Sequence, residues 1–409
     1  MSVTTPDTGS RYRLQPELDG DFTTAQLRTS AAARRVSPIT APDAARQLAP
    51  LGVREADTGA ALLAALETHP LARPPVYEHI GPVGAAQAEA LACLAARWMS
   101  YRPGQHADLR AVNTACKILG ALALCQRQRP DPLIGGYIAT VAAQLEETIS
   151  ALAAQFRNRL PLPAPASLPP PNIEPLHARA RARVAVLAPP NSRVAAELLA
   201  GLVARGLDAV LIAWQPPRPK TAIPPESHYA SAWYPEPVPD IHRPPAPVPV
   251  ERVHSWDQAA AVLARSADLT VLAGMPIVPG RVLAATRLGA VNAHNGALPA
   301  VRGMDAPGWA VLTGQPITCT VHTARSGVDT GEILATEPVP LSPTSTLKAR
   351  TRTAQVRLLI AVAVHVAHSG QLPTLHPQQG VPVQYYRLHP HLKRHLDATM
   401  PLLRTRYRP

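Results

Sequence analysis

Residues 291–299 read Val-Asn-Ala-His-Asn-Gly-Ala-Leu-Pro, and downstream stand Arg302-Gly303-Met304-Asp305, Cys319-Thr320-Val321-His322 and Val328-Asp329-Thr330-Gly331. Three of these side chains can do chemistry together. The Asn292 amide is a neutral hydrogen-bond donor that no pH change removes. The His294 imidazole is a charged donor or a proton carrier near neutral pH. The Asp329 carboxylate can raise the pKa of a neighbouring imidazole, hold its tautomer or position a water. As an isolated pair, Asn292 and His294 would better be taken as a turn cap and a satisfied core histidine.

They are not isolated. Asn292-x-His294, Leu298-Pro299, Gly303, Thr320-Val321-His322 and Asp329-x-Gly331 occur in order and at spacings that resemble the core signature of folate-dependent formyltransferases. The resemblance covers residues 182–390, about half of the chain. It implies transfer of a formyl group from 10-formyltetrahydrofolate to an amine, with no metal. Such a reaction passes through an oxyanion that needs preorganised donors, and a proton must travel from the attacking ammonium toward the leaving nitrogen. The resemblance assigns Asn292 and His294 to the formyl oxygen and Asp329 to the protonation of His294. It places the pterin against Gly274, Met275, Ile277 and Val278, with Asp329 also on the cofactor side. Gly303 and Thr320 tune the site. His322 either tunes it as well or is a strand residue facing solvent.

The positioning elements are legible. Residues 267–274 read as a buried strand entering a glycine turn. Residues 288–294 read as a second strand whose C-terminal end carries Asn292 and His294. Residues i and i+2 of a strand share a face, and ligands of open α/β sheets sit at the carboxyl ends of the strands. Upstream, 182–199 predicts a strand, a tight turn and a helix capped by Asn191 or Ser192, and 207–214 a second strand, the opening of a doubly wound domain. A short strand over 331–339 and a helix over 346–370 follow Asp329.

These elements predict an α/β, Rossmann-like catalytic domain with a parallel-rich twisted sheet, preceded by an all-helical domain. The expected divisions are a flexible tail (1–40), a helical domain (41–159), a Pro-rich linker (160–176), the catalytic domain (177–345) and a C-terminal helix with closing segment (346–409). The helical domain would select the acceptor, contact a carrier protein or form a homodimer. Residues 215–250, dominated by proline, predict a long loop in which Tyr229, Trp233 and Tyr234 either close over a ligand or anchor the chain.

The chain has 409 residues and is 46% hydrophobic, enough for two or three domains. No signal peptide is expected from the polar stretch with which it opens, and the apolar run Leu358–Val366 is too short to span a membrane. Four cysteines (Cys93, Cys116, Cys125, Cys319) lack metal-ligand spacing. A reduced, cytoplasmic, bacterial protein is the expectation. The net charge of +12 raises nucleic acid as a partner, but aromatics do not interleave with the arginines, which argues against it. His389, His391 and His395 are taken as surface histidines.

The chain departs from the family pattern at several positions. Asn295 and Gly296 stand for a usual Pro and Ser, and Thr318 for a Gly. The first turn, Ala188-Pro-Pro-Asn-Ser192, offers few free amides to a phosphate. Few residues follow Pro390, which disfavours the tRNA-specific members with their extra barrel. A small-molecule, sugar or peptide amine is therefore the expected acceptor. A formyl-folate hydrolase and a non-catalytic binding scaffold remain open as alternatives.

Overall fold

The computed structural model describes residues 168–171, 181–215, 248–340, 346–385, 388 and 396. The tail, the helical domain, most of the 215–250 loop with its aromatics, Cys93, Cys116, Cys125 and the three C-terminal histidines lie outside the described residues. In chain order the elements are β1 (Val184–Ala188), α1 (Arg193–Val203), β2 (Ala209–Trp214), β3 (Val250–Val253), α2 (Trp256–Ser266), β4 (Leu269–Leu272) and α3 (Gly280–Leu283). They continue with β5 (Ala290–His294), β6 (Arg302–Gly303), α4 (Ala306–Thr313), β7 (Thr318–Thr323), β8 (Ile333–Pro338), α5 (Leu347–Ser369) and β9 (Gln384–Tyr385).

Seven strands form one sheet in the order β3-β2-β1-β4-β5-β7-β8. β1 to β5 pair in parallel, while β7 and β8 run antiparallel at one side. The sheet is mixed and mostly parallel, as the alternation of strands and helices in the sequence implies. β1 is buried at every position because helices cover both of its faces. Ala185, Leu187, Ile212 and Trp214 share one apolar cluster with Ala259, Val262 and Leu263 of α2 and Val282 of α3. On the other face α1 and α5 pack on each other, and α5 lies along β4, β5, β7 and β8.

The strand order reverses between β1 and β4, which opens a crevice at their carboxyl ends. Ser192 closes its base. Its hydroxyl caps α1 by accepting from Ala195 N at 3.2 Å and donates to the Ala273 carbonyl at 3.0 Å beyond β4. The outer edge of β8 is bonded too: Ile333 and His376 exchange backbone bonds of 2.8 and 2.9 Å, and Thr336 N donates to Leu168 O at 2.8 Å. Leu168 N in turn donates to the Thr336 hydroxyl at 2.7 Å.

Candidate active site

β5 brings Asn292 and His294 to the end of the sheet. β4 pairs with β5 only at Ala290 and Val291, so from Asn292 onward β5 has β7 alone as a strand partner. There Asn292 faces His322 and His294 faces Thr320. A bulge between Val321 and His322 shifts β7 against β8, a device that re-aims side chains. Asp329 comes from the β7–β8 turn, with φ at 53°, a left-handed conformation uncommon outside glycine.

The Asp329 carboxylate lies between two imidazoles. Its Oδ2 is 3.3 Å from His294 Nδ1 and its Oδ1 is 3.4 Å from His322 Nε2. Gly303 N donates to Oδ2 at 2.9 Å. Asn292 Nδ2 is 3.5 Å from His322 Nε2, at the outer limit of a hydrogen bond. His322 is therefore buried within the site and does not face solvent.

The partners assign the tautomers. His294 Nε2 lies 2.7 Å from the Val301 carbonyl and His322 Nδ1 lies 2.9 Å from that of Thr323. Carbonyls only accept, so each of these nitrogens carries a proton. The remaining nitrogen of each ring faces Asp329. Burial alone would raise the Asp329 carboxyl, but His294, His322 and the Gly303 N–H together outweigh it and hold the group well below the usual carboxylate range. For His294, burial is the largest influence and draws its pKa down, with Asp329 pulling the other way. Asp329 is ionised, and a proton arriving on His294 Nδ1 would land facing that carboxylate.

Two glycines make room for this cluster. A Cβ on Gly331 would meet the Thr323 carbonyl oxygen at 1.6 Å, so the turn after Asp329 packs directly on the β7 backbone. A Cβ on Gly296 would lie 2.5 Å from both His294 Nε2 and Val301 O, so the observed ring position requires glycine there. Thr320 secures the same turn by donating to Gly296 O at 2.8 Å. Asn295 and Thr318, two further departures from the family pattern, each leave a buried oxygen without a hydrogen-bond partner among the described residues.

At the end of β4, Gly274 has φ at 73°. Met275 and Ile277 are half-buried and Val278 is buried, which gives the crevice an apolar margin. Two glutamines contribute contacts that the sequence does not announce. Gln355 of α5 donates to Ala293 O at 2.9 Å, on the strand between Asn292 and His294. Gln378 donates to Asp329 O at 2.8 Å and Gly331 O at 2.7 Å. In both cases the partner is a backbone carbonyl distant in sequence, and no motif marks it.

The sequence model of the formyl transferase family matches residues 182–363. The chain is 32% identical over 121 residues to a methionyl-tRNA formyltransferase of Chlorobium limicola, a match covering 29% of this chain and 38% of the relative. It is 36% identical over 123 residues to a phosphoribosylglycinamide formyltransferase of Mycobacterium tuberculosis, covering 28% of this chain and 57% of that one. The matched stretch thus spans less than two thirds of either relative. Among solved structures, a sugar N-formyltransferase from a Shewanella species is 18% identical, with coverage of 52% of this chain and 88% of that one and a TM-score of 0.36.

Proposed function

We propose that the formyl transferase domain moves a formyl group from 10-formyltetrahydrofolate to the amine of a small molecule, sugar or peptide. The observation that carries this is the Asp329 carboxylate held between His294 and His322, with Asn292 across the strand pair from His322. Met275 and Ile277 fit the donor, because half-buried apolar side chains at a strand's carboxyl end suit a flat heterocycle, and Val278 backs them from the core cluster against which Met275 packs. When bound, the donor supplies an electrophilic formyl carbon on a nitrogen leaving group.

Asn292 orients the formyl oxygen as a neutral donor. His294 holds a proton on Nε2 and can take a second on Nδ1, toward Asp329, the proton that an attacking ammonium must lose. His294 Nε2 is bonded to Val301 O, so it reaches the formyl oxygen only when the ring leaves that carbonyl. The missing Cβ at Gly296 gives the ring its place at Val301.

The test is a spectroscopic titration of the full chain with a stable 10-formyl-folate analogue, comparing wild type, Asp329→Ala and a variant with the 275–278 loop replaced. Binding that survives Asp329→Ala and fails in the loop variant supports the donor site and leads to a screen of amines. No binding to the wild type sinks the proposal. Formate release without any amine would instead mark a hydrolase.

A further inference from the structure

We propose that Gln378 is a positioning residue that clamps Asp329 into its left-handed turn, with Arg302 locking the clamp from the other side. The proposal rests on the formyl-transfer reading for its consequence in turnover, but not for its geometry. Gln378 lies in the extended segment after α5, far in sequence from the turn it holds. Its Nε2 amide donates to the carbonyls of Asp329 and Gly331 at 2.8 and 2.7 Å. Its Oε1 accepts from Arg302 Nη2 at 2.6 Å and Nε at 3.2 Å. Both protons and the oxygen of one amide are thus used, and a side-chain amide has no further protons to give.

The clamp acts on the residue that needs one. Asp329 adopts a φ of 53°, and conformations of this kind persist only where surrounding contacts determine them. Neighbouring contacts converge on the same turn. Arg302 and Gly303 pair with Gln384 and Tyr385 as β6 and β9, Gly303 N donates to the Asp329 carboxylate, and His376 pairs with Ile333 two residues beyond Gly331. The segment 376–385 therefore holds the turn through its backbone, and Gln378 sets where the carboxylate stands between the two imidazoles. A replacement that keeps the size of Gln378 but removes its donors frees the turn while leaving the strand pairings in place.

The experiment is a double-mutant cycle in the full chain, combining Gln378→Met with Asp329→Ala and read in two ways. The first records ring nitrogen chemical shifts of His294 and His322 with no folate present. Besides each other, these rings face Asp329, and Arg302 also acts on His294, so Arg302→Lys is run as a control for its charge. Gln378→Met is expected to displace both ring signals in the wild-type background and to displace neither in the Asp329→Ala background. The second readout is formyl transfer: kcat falls about tenfold or more with KM little changed, and no further once Asp329 is absent.

Unmoved ring signals in a folded Gln378→Met protein overturn the proposal, as do equal displacements in both backgrounds. Where the methionine variant loses its thermal transition, Gln378→Glu takes its place, because it keeps an acceptor for Arg302 but sets a carboxylate against two carbonyls. A wild type that transfers no formyl group while the cycle in ring signals holds would sink the transfer reading and leave the clamp standing.

Discussion

In β1 to β4 every buried strand residue except Thr270 is apolar, whereas β5, β7 and β8 bury His294, Thr318, Thr320, His322, Thr323 and Thr336. The first region is parallel, with helices on both faces, and such strands have no solvent side to give to polar groups. The second is antiparallel and ends at the crevice. There most polar side chains are answered locally: Thr320 by Gly296 O, Thr323 by Glu332, and His294 and His322 by a carbonyl on one nitrogen, with Asp329 facing the other. One sheet thus divides its labour, with burial of apolar surface on one side and a hydrogen-bonded polar cluster on the other. Perturbing each side should leave a different signature.

The largest effect belongs to the polar side. Asp329→Ala should lower kcat for formyl transfer by about a thousandfold per folded molecule, with a separate loss of stability because the Gly303 N–H loses its carboxylate partner, read by steady-state kinetics beside calorimetry. A fully active variant would end the comparison. Gly331→Ala comes next and should cross the divide, because its Cβ meets the Thr323 carbonyl and the backbone itself must shift. A loss of about 3 kcal/mol or more in stability together with loss of turnover is expected, measured by denaturant unfolding and activity on the same sample.

On the apolar side, Leu187→Ala removes a fully buried side chain of β1. It should cost about 2–5 kcal/mol, while kcat per folded molecule stays unchanged. A changed kcat would show that the two regions are coupled.

The smallest effect is in pH dependence. The folded pKa of His294 lies below its unfolded value. Below pH about 6.5 the unfolded chain therefore binds more protons than the folded one, and stability falls with pH until the folded value is passed. The Asp329 carboxyl is also lowered. Its contribution is intact above its unfolded value, about 3.9, and is lost as pH falls from there through the folded one. Thermal transitions recorded across pH should show both limbs, the first missing in His294→Gln and the second in Asp329→Asn.

Much of the frame was legible because parallel strands and long helices leave strong patterns. The helix expected over 346–370 is α5, Leu347–Ser369, and the strand ending at His294 is β5. Of the two proposed caps for α1, Ser192 is the one used. The helix α4, the bulge beside His322 and the β6–β9 pairing left no such trace. β7 is buried at all six positions, so alternation could not say which way His322 points. β6 and β9 are two residues each and join residues 302–303 to 384–385, beyond the reach of any periodicity. Sequence order could align Asn292, His294 and Asp329, but only the fold discloses the carbonyls that hold both imidazoles.

The edge of β8 bears on how this domain can be handled. Similarity to the formyl transferase family begins at residue 182, yet Leu168 supplies both a donor and an acceptor to Thr336 on β8. A fragment cut at the similarity boundary would lose that cover and bare a strand edge, the kind of surface on which chains stack into aggregates. A fragment prepared for study should therefore begin ahead of Leu168, so that these bonds are kept.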